Sequence, residues 1–373
     1  MNFQVSPKLR RNFSRILPFG VIWLIISWVF LLNDISLTRY QNPNPETDIT
    51  LSIPILIFAN IMVFVAGILV GTLEVIVLEK VFQRFSLGRK ILFKFITYLI
   101  IILMIITIAY PIAASLEAQA SIFDSVVWEK TGRFFLSLTF LNTLVQLSFQ
   151  LLISLLYAAI SENLGHSVLL NFFTGKYHQP KFETRVFMFL DMKDSTTIAE
   201  NLGHVQYFNF LKEYYAMMSN PIINHSGDVY QYIGDEVVIS WKEKDAFHQN
   251  NCIEVFASIK MNLAKNENKF REKYGLIPDF KAGVHIGEVT VGEVGALKKE
   301  IVFSGDVLNT TARIQGLCKD YNEDLIISEE LLSKFDNQRP ISSNALGELT
   351  LRGKSCVTKI HAVNFNLSDP VTS

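Results

Sequence analysis

Four long apolar stretches in the first 160 residues constrain this chain more than any other feature. Residues 16–32, 53–77, 95–114 and 134–160 are nearly uncharged, and each approaches or exceeds the roughly 17–25 residues that carry a helix across a bilayer. Half of the 373 residues are hydrophobic, more than a wholly soluble chain of this length needs for its core. Lys8, Arg10, Arg11 and Arg15 precede the first stretch, and Lys80, Arg84, Arg89 and Lys90 lie between the second and third. The opposite loops carry Asp34, Glu46 and Asp48, then Glu117, Asp124 and Glu129. Basic loops stay on the cytoplasmic side. The pattern therefore predicts a multi-pass protein in contact with membrane lipid, with its N-terminus and everything beyond residue 160 cytoplasmic. The first stretch has no small-residue cleavage site, and three more follow, so it reads as a span and not as a secretory signal.

Inside the fourth stretch, Asn142, Gln146 and Gln150 recur every four residues and share one helical face. Hydrogen bonding between helices or protomers is the expected role, since such bonds contribute about 0.6–2 kcal/mol in a membrane. Glu74, the acid of the second stretch, is expected near enough to the interface to be solvated. A transport pathway would need more intramembrane charge or broken helices. Residues 161–180 continue the helical spacing through Leu164, Val168, Phe172 and Phe173 until Gly175 and Pro180, and predict a helical linker.

Beyond residue 183 charge becomes dense and the periodicity changes. A net charge of −1 gives no reason to expect nucleic acid as a partner. Cys252, Cys318 and Cys356 are far apart and form no CxxC, as expected in a reducing compartment. RVFMFLDMKDST, residues 185–196, is a strand buried on both faces over 186–190 that stops at Asp191, with Ser195 and Thr196 expected to cap a helix starting near Thr197. YQYIGDEVVISW, residues 230–241, is a hairpin turning at Gly234 and Asp235. Two aspartates on neighbouring strand ends suit a pair of divalent cations in phosphoryl chemistry. An N-cap and an ordinary turn residue are the plainer readings of each alone. IVFSGDVLNTTARIQ, residues 301–315, is a strand turning into a helix that puts Asn309 and Arg313 on one face. The coarse order is strand 186–190, helix 197–220, hairpin 228–241, helix 244–274, hairpin 279–293, then strand, helix and further strands. Its beginning matches the β-α-β-β-α-β of a ferredoxin-like core.

Taken together, FLDMKDST, YIGDEVV, FKAGVHIGEVTVGEVG and SGDVLNTTARI resemble, in order, the motifs of the class III nucleotidyl cyclase catalytic domain, the family of adenylate and guanylate cyclases. Joined to the four apolar stretches, which predict an α-helical membrane domain of four transmembrane helices, the resemblance implies an α/β (α+β) cyclase domain with that ferredoxin-like core after them. The expected boundaries are 1–160 for the membrane domain, 161–182 for the linker, 183–366 for the catalytic domain and 367–373 for a tail. It further implies Asp191 and Asp235 as ligands of two Mg or Mn ions, with the Met192 carbonyl added, and Asn309 and Arg313 as the transition-state pair. Ser195 and Thr196 fall beside the phosphates. Lys354, or Arg352 if the register slips, matches the phosphate-contacting lysine. The purine-reading pair falls on Gln231 and Val302, where relatives commonly have Lys or Glu and Asp, Thr or Cys. Glu288 stands where some relatives have arginine. The expected enzyme is a homodimer in the inner membrane of a bacterium, converting a nucleoside triphosphate, ATP by preference, to the cyclic nucleotide. Guanylate cyclase activity and a non-catalytic signalling domain remain open. A diguanylate cyclase, which IGDEVV echoes, has no use for the Asn309 and Arg313 helix.

Overall fold

The computed structural model describes residues 6–38, 49, 52–78, 81–82, 85–336, 341–350 and 357–364. Two compact units divide the chain between Leu170 and Asn171.

The first unit is helical. Its members are α1 (Pro7–Thr38), α2 (Ile53–Leu73, extended by a π-helical turn Glu74–Leu78), α3 (Leu87–Ala118), α4 (Ser125–Phe135) and α5 (Leu138–Leu164). Among the described residues, the helices covering Pro7–Ser36, Ile53–Leu78, Gly88–Ala118 and Leu138–Leu164 are long and apolar enough to cross a membrane. Their outward faces stay apolar, as at Ile25, Val29, Ile57, Ile61, Ile100, Met104, Val145 and Leu152, a surface that water would not tolerate. Inside, Phe19, Trp23, Val70, Tyr98, Ile102, Leu151 and Leu155 pack together. Gly67 permits close approach of α1 and α2, because an added Cβ would lie 2.9 Å from the Gly20 Cα.

Three expectations change in this unit. The fourth span begins at Leu138 and not at 134, because the Ser137 hydroxyl accepts from the Phe140 amide at 3.2 Å and starts a new helix; residues 134–135 instead end α4, whose start is capped by Asp124. Glu74 is buried, not solvated: Lys94 donates to one carboxylate oxygen, and the Tyr98 hydroxyl to the other at 2.8 Å. Gln150 is buried but neither of its amide atoms has a partner, so the polar row does not knit helices together along its whole length. The helix leaving this unit is also interrupted, with Gly165 at φ +86 separating α5 from α6 (His166–Phe173). The loop residues Glu46, Asp48, Lys80 and Arg84 lie outside the described residues.

The second unit is built on one mixed sheet. Its strands are β1 (Lys181–Met192), β2 (Asp228–Ile233), β3 (Glu236–Lys242), β4 (Phe280–Val294), β5 (Glu300–Ser304), β6 (Leu325–Ser328), β7 (Ser343–Thr350) and β8 (Val357–Val363). The order is β2-β3-β1-β4-β6-β8-β7, with β5 added on β4. The first four strands have the antiparallel order of a ferredoxin-like core. β1 alternates its side chains between two cores, as a period-2 strand must. Val186, Met188 and Leu190 pack on helices α8 (His204–Asn224) and α10 (Asn251–Lys265), while Phe187 and Phe189 face Val307 and Phe303. Between these elements lie the short helices α7 (Ser195–Leu202) and α9 (Glu243–Phe247), and α11 (Glu267–Tyr274) follows α10. The helices read as single over 197–220 and 244–274 are thus broken. Gly203, at φ +70, divides α7 from α8, and Gln249 and Asn250, both with positive φ, divide α9 from α10.

Residues 279–293 are not a hairpin. From Phe280 onward they belong to one 15-residue strand, β4, and the hairpin is made by β5 after a turn at Gly295. Gly283 and Gly287 within β4 serve packing against α12 (Asp306–Tyr321). A Cβ on Gly283 would fall 2.3 Å from the Gln315 nitrogen, so only glycine lets that helix lie so close to the strand.

Candidate active site

The end of β1 and the tip of the β2–β3 hairpin meet because of the antiparallel register. Leu190 pairs with Val237, so Asp191 arrives beside Glu236 and Asp235. Gly234, at φ +64, makes the two-residue turn, and Ile233 pairs with Glu236 to close it. The Tyr215 hydroxyl donates to the Gly234 carbonyl and ties the hairpin tip to α8.

The electrostatics of this corner are strained by design of the fold. Burial pushes the Asp191 carboxyl above its usual range, and the neighbouring Asp235 pushes it further; Lys281 opposes the shift. The Lys281 ammonium lies 3.6 Å from an Asp191 oxygen, and the Gln315 amide donates to the same oxygen at 3.1 Å. Glu236 is raised to about 7 by burial, then by Asp191 and Asp235. Tyr207 is raised by burial and by Asp235, while a hydrogen bond with Ser195 works against the shift. Among the described residues no group of three or more His, Cys, Asp and Glu side chains converges as a metal cage. A pair of crowded carboxylates at a strand end, with the first amides of a helix alongside, instead suits cations that arrive with phosphate ligands of their own.

The predicted residues divide into two groups. Asp191 and Asp235 are adjacent, and Met192 follows as the last residue of β1. Ser195 is the first residue of α7, with Asp194 as the N-cap at φ 54 and no side-chain cap bond; the Ser-Thr pair therefore lies inside the helix and does not cap it. Asn309 and Arg313 lie elsewhere. Both are exposed on α12, whereas Thr311, Ile314 and Gln315 form its buried face. With 100° per residue, Arg313 lies on nearly the opposite side of the helix from Gln315, the residue that bonds Asp191. Gln231 is exposed beside a bulge in β2, and Val302 is half-buried on β5 opposite Gly292. Glu288 is exposed on β4. Lys354 and Arg352 lie outside the described residues, as do Cys356 and the tail from 367.

Sequence reasoning missed Glu236, Lys281 and Gln315. Glu236 adjoins a recognised aspartate and was legible as a third acid. Lys281 interrupts the apolar run of β4, but only the register Asp191↔Lys281 gives it a partner. Gln315 carries no local signal.

One mixed sheet thus presents paired acids at a strand end, with a separate polar helix face. The family described as the adenylate and guanylate cyclase catalytic domain matches residues 177–364, and the chain belongs to it. A protein named Adenylate cyclase 2 from Rhizobium meliloti (strain 1021) is 33% identical over 195 residues, covering 52% of this chain and 54% of that protein. Adenylate cyclase 1 of the same strain is 28% identical over 181 residues, 47% of this chain and 27% of that protein. The chain thus spans about half, or less, of these curated relatives. A solved structure titled "Structure of a bacterial light-regulated adenylyl cyclase" shares the fold, with a TM-score of 0.51 at 18% identity over 59% of this chain and 64% of that one.

Proposed function

We propose that the protein is a membrane-bound adenylate cyclase that converts ATP to 3′,5′-cyclic AMP and pyrophosphate at sites shared between two copies of the chain. The organisation proposed is a membrane domain over 1–160, a linker over 161–182 and a catalytic domain over 183–366, with the basic N-terminal segment and the catalytic domain in the cytoplasm of a bacterium. The observation that carries the shared site is the separation within one chain. Asp191 and Asp235 crowd one corner, while Asn309 and Arg313 occupy an exposed face of α12 directed away from it. Two-fold symmetry brings such halves together twice. ATP is preferred because both Rhizobium meliloti relatives carry that activity in their names. Gln231 offers both a donor and an acceptor to either purine, so GTP is the competing substrate.

In this reading Asp191, Asp235 and the Met192 carbonyl would hold two Mg or Mn ions, which when bound would supply positive charge to acidify the ribose 3′-hydroxyl and neutralise the triphosphate. Gln315 and Lys281 orient Asp191. Ser195, Thr196 and the first amides of α7 face the phosphates. From the partner copy, Asn309 positions the ribose, and Arg313 meets the charge that develops as the 3′-oxygen attacks the α-phosphorus and pyrophosphate leaves. Lys354 is assigned a phosphate contact.

Labelled ATP and GTP, each incubated with the purified protein and Mn, give cyclic AMP as the expected product; cyclic GMP alone would move the assignment to guanylate cyclase. Asp235→Ala and Arg313→Ala are each expected to be inactive. Co-expressed in equal amounts, they should recover about one quarter of wild-type activity, because half of the dimers then hold one intact site of two. No recovery from co-assembled variants would overturn the shared site.

A further inference from the structure

We propose that the helical unit binds a neutral single-chain amphiphile, an apolar tail with an uncharged hydrogen-bonding head, along the axis between its four long helices. This goes beyond the cyclase reading and does not depend on it.

Two cavities carry the inference. One, of about 200 Å³, is lined by all four long helices: Trp23 from α1, Met62 and Ala66 from α2, Ile102 and Ile106 from α3, and Leu147 from α5. It lies between the four helices and is partly open. The second, of about 260 Å³, is lined by Ser27 and Asn33 of α1, Asn60 of α2, and Asn142 and Gln146 of α5. Gln146 belongs to both walls. The levels follow from the helix directions. Moving from Trp23 to Ser27 and Asn33 on α1, from Ala66 to Asn60 on α2, or from Leu147 to Asn142 on α5 leads out of the apolar cavity and into the polar one. The two are stacked, apolar then polar, and together they reach the several hundred Å³ typical of small-molecule sites.

The chemistry of the walls selects the occupant. The deeper cavity offers mostly hydrocarbon, with the Gln146 amide and the Thr143 hydroxyl, itself donating to the Thr139 carbonyl, on its wall. The outer one is mixed, with side-chain amides and a hydroxyl beside Phe30, Leu31 and Leu56. Asn60 is held in place, accepting from the Trp28 indole at 2.8 Å and donating to the Leu56 carbonyl at 2.7 Å. Among the described residues Asp34 is the charged side chain on these walls, and no Lys, Arg or His lines either cavity. Among the described lining residues an anionic head would find no cation to offset its desolvation. Hydroxyl or carbonyl groups can instead exchange hydrogen bonds with amides, which both donate and accept. A medium-chain monoacylglycerol has this chemistry, and the fatty acid of the same chain is the matched anion.

The test uses the full chain in detergent and a monoacylglycerol with a photoreactive diazirine in its tail, with labelled peptides located by mass spectrometry. Saturable labelling of the segments around Trp23, Met62 and Leu147 is expected, competed by unlabelled monoacylglycerol at about tenfold lower concentration than by the fatty acid, the worth of roughly one hydrogen bond. Gln146→Leu should weaken labelling by a similar factor. Ala109 of α3 also lines the apolar cavity, so Ala109→Phe, or Ala109→Leu if the larger ring is not tolerated, fills it and should abolish labelling while thermal stability is retained. Non-saturable labelling scattered over the outward faces, equal competition by the fatty acid, or undiminished labelling in the filled variant would each overturn the proposal. Cyclase activity is not the readout, so this result and the catalytic assignment fail separately.

Discussion

The two units of this protein bury acids in opposite ways. In the helical unit Glu74 is enclosed with a partner for each oxygen, Lys94 and Tyr98. In the catalytic unit Asp191, Asp235 and Glu236 crowd together with Lys281 as the neighbouring cation, and burial and mutual repulsion raise Asp191 and Glu236. The first arrangement is electrostatically closed. The second favours whatever brings positive charge, which is how a binding site differs from a structural ion pair even where both are half or wholly buried.

The largest expected effect breaks the open arrangement. Asp191→Asn should lower turnover by on the order of a thousandfold or more, the scale seen when a charge-matching group is lost in phosphoryl transfer. The same variant should be at least as stable as wild type in chelator, since it removes repulsion without changing volume. Activity retained with lowered stability would mean that Asp191 is a structural acid like Glu74.

Breaking the closed arrangement should do the reverse. Glu74→Leu leaves the Lys94 ammonium buried without its partner and should cost about 3–5 kcal/mol, whereas Glu74→Leu combined with Lys94→Leu should recover most of that loss. Thermal unfolding of the three variants in detergent measures it. A double variant no better than the single one would show that the pair itself stabilises the bundle.

A smaller effect concerns pH. Glu236 is raised to about 7 in the folded protein, so the folded state holds its proton more tightly than the unfolded chain does. The associated stability is fully present below the unfolded carboxyl pKa and is lost as pH rises through about 7. In chelator the unfolding temperature of the catalytic unit should fall across that interval, and Glu236→Gln should flatten the profile. Added Mn should stabilise more at the alkaline end, where the carboxylates are ionised. A flat wild-type profile in chelator would remove Glu236 from the repulsive cluster.

The smallest concerns Gln150, buried with both amide atoms unpartnered. Gln150→Leu should raise stability by about 1 kcal/mol, since a buried polar group without a bond is a cost that an apolar side chain of similar size does not bear. Destabilisation by a similar amount would reveal a partner for that amide.

Local pattern was enough to read the four spans, the strand that ends at Asp191, the hairpin at Gly234 and the shared face of Asn309 and Arg313. Each of these is dictated by side chains within a few positions of one another: apolar length, period-2 burial, a turn residue, or a spacing of four. What surrounds the aspartates was not legible in the same way. Glu236 faces Asp191 because β1 and β3 pair in one register, Lys281 because β4 pairs in another, and Gln315 because Gly283 admits α12 against the sheet. The same limit misread β4 as a hairpin, since a glycine that makes a turn and one that admits a helix look identical in sequence. It also left Glu74 in solvent, because Lys94 and Tyr98 reach it from another helix. Periodicity is a property of neighbours along the chain, whereas charge balance and close approach are set by register and packing between segments far apart in it, and these only the tertiary structure decided.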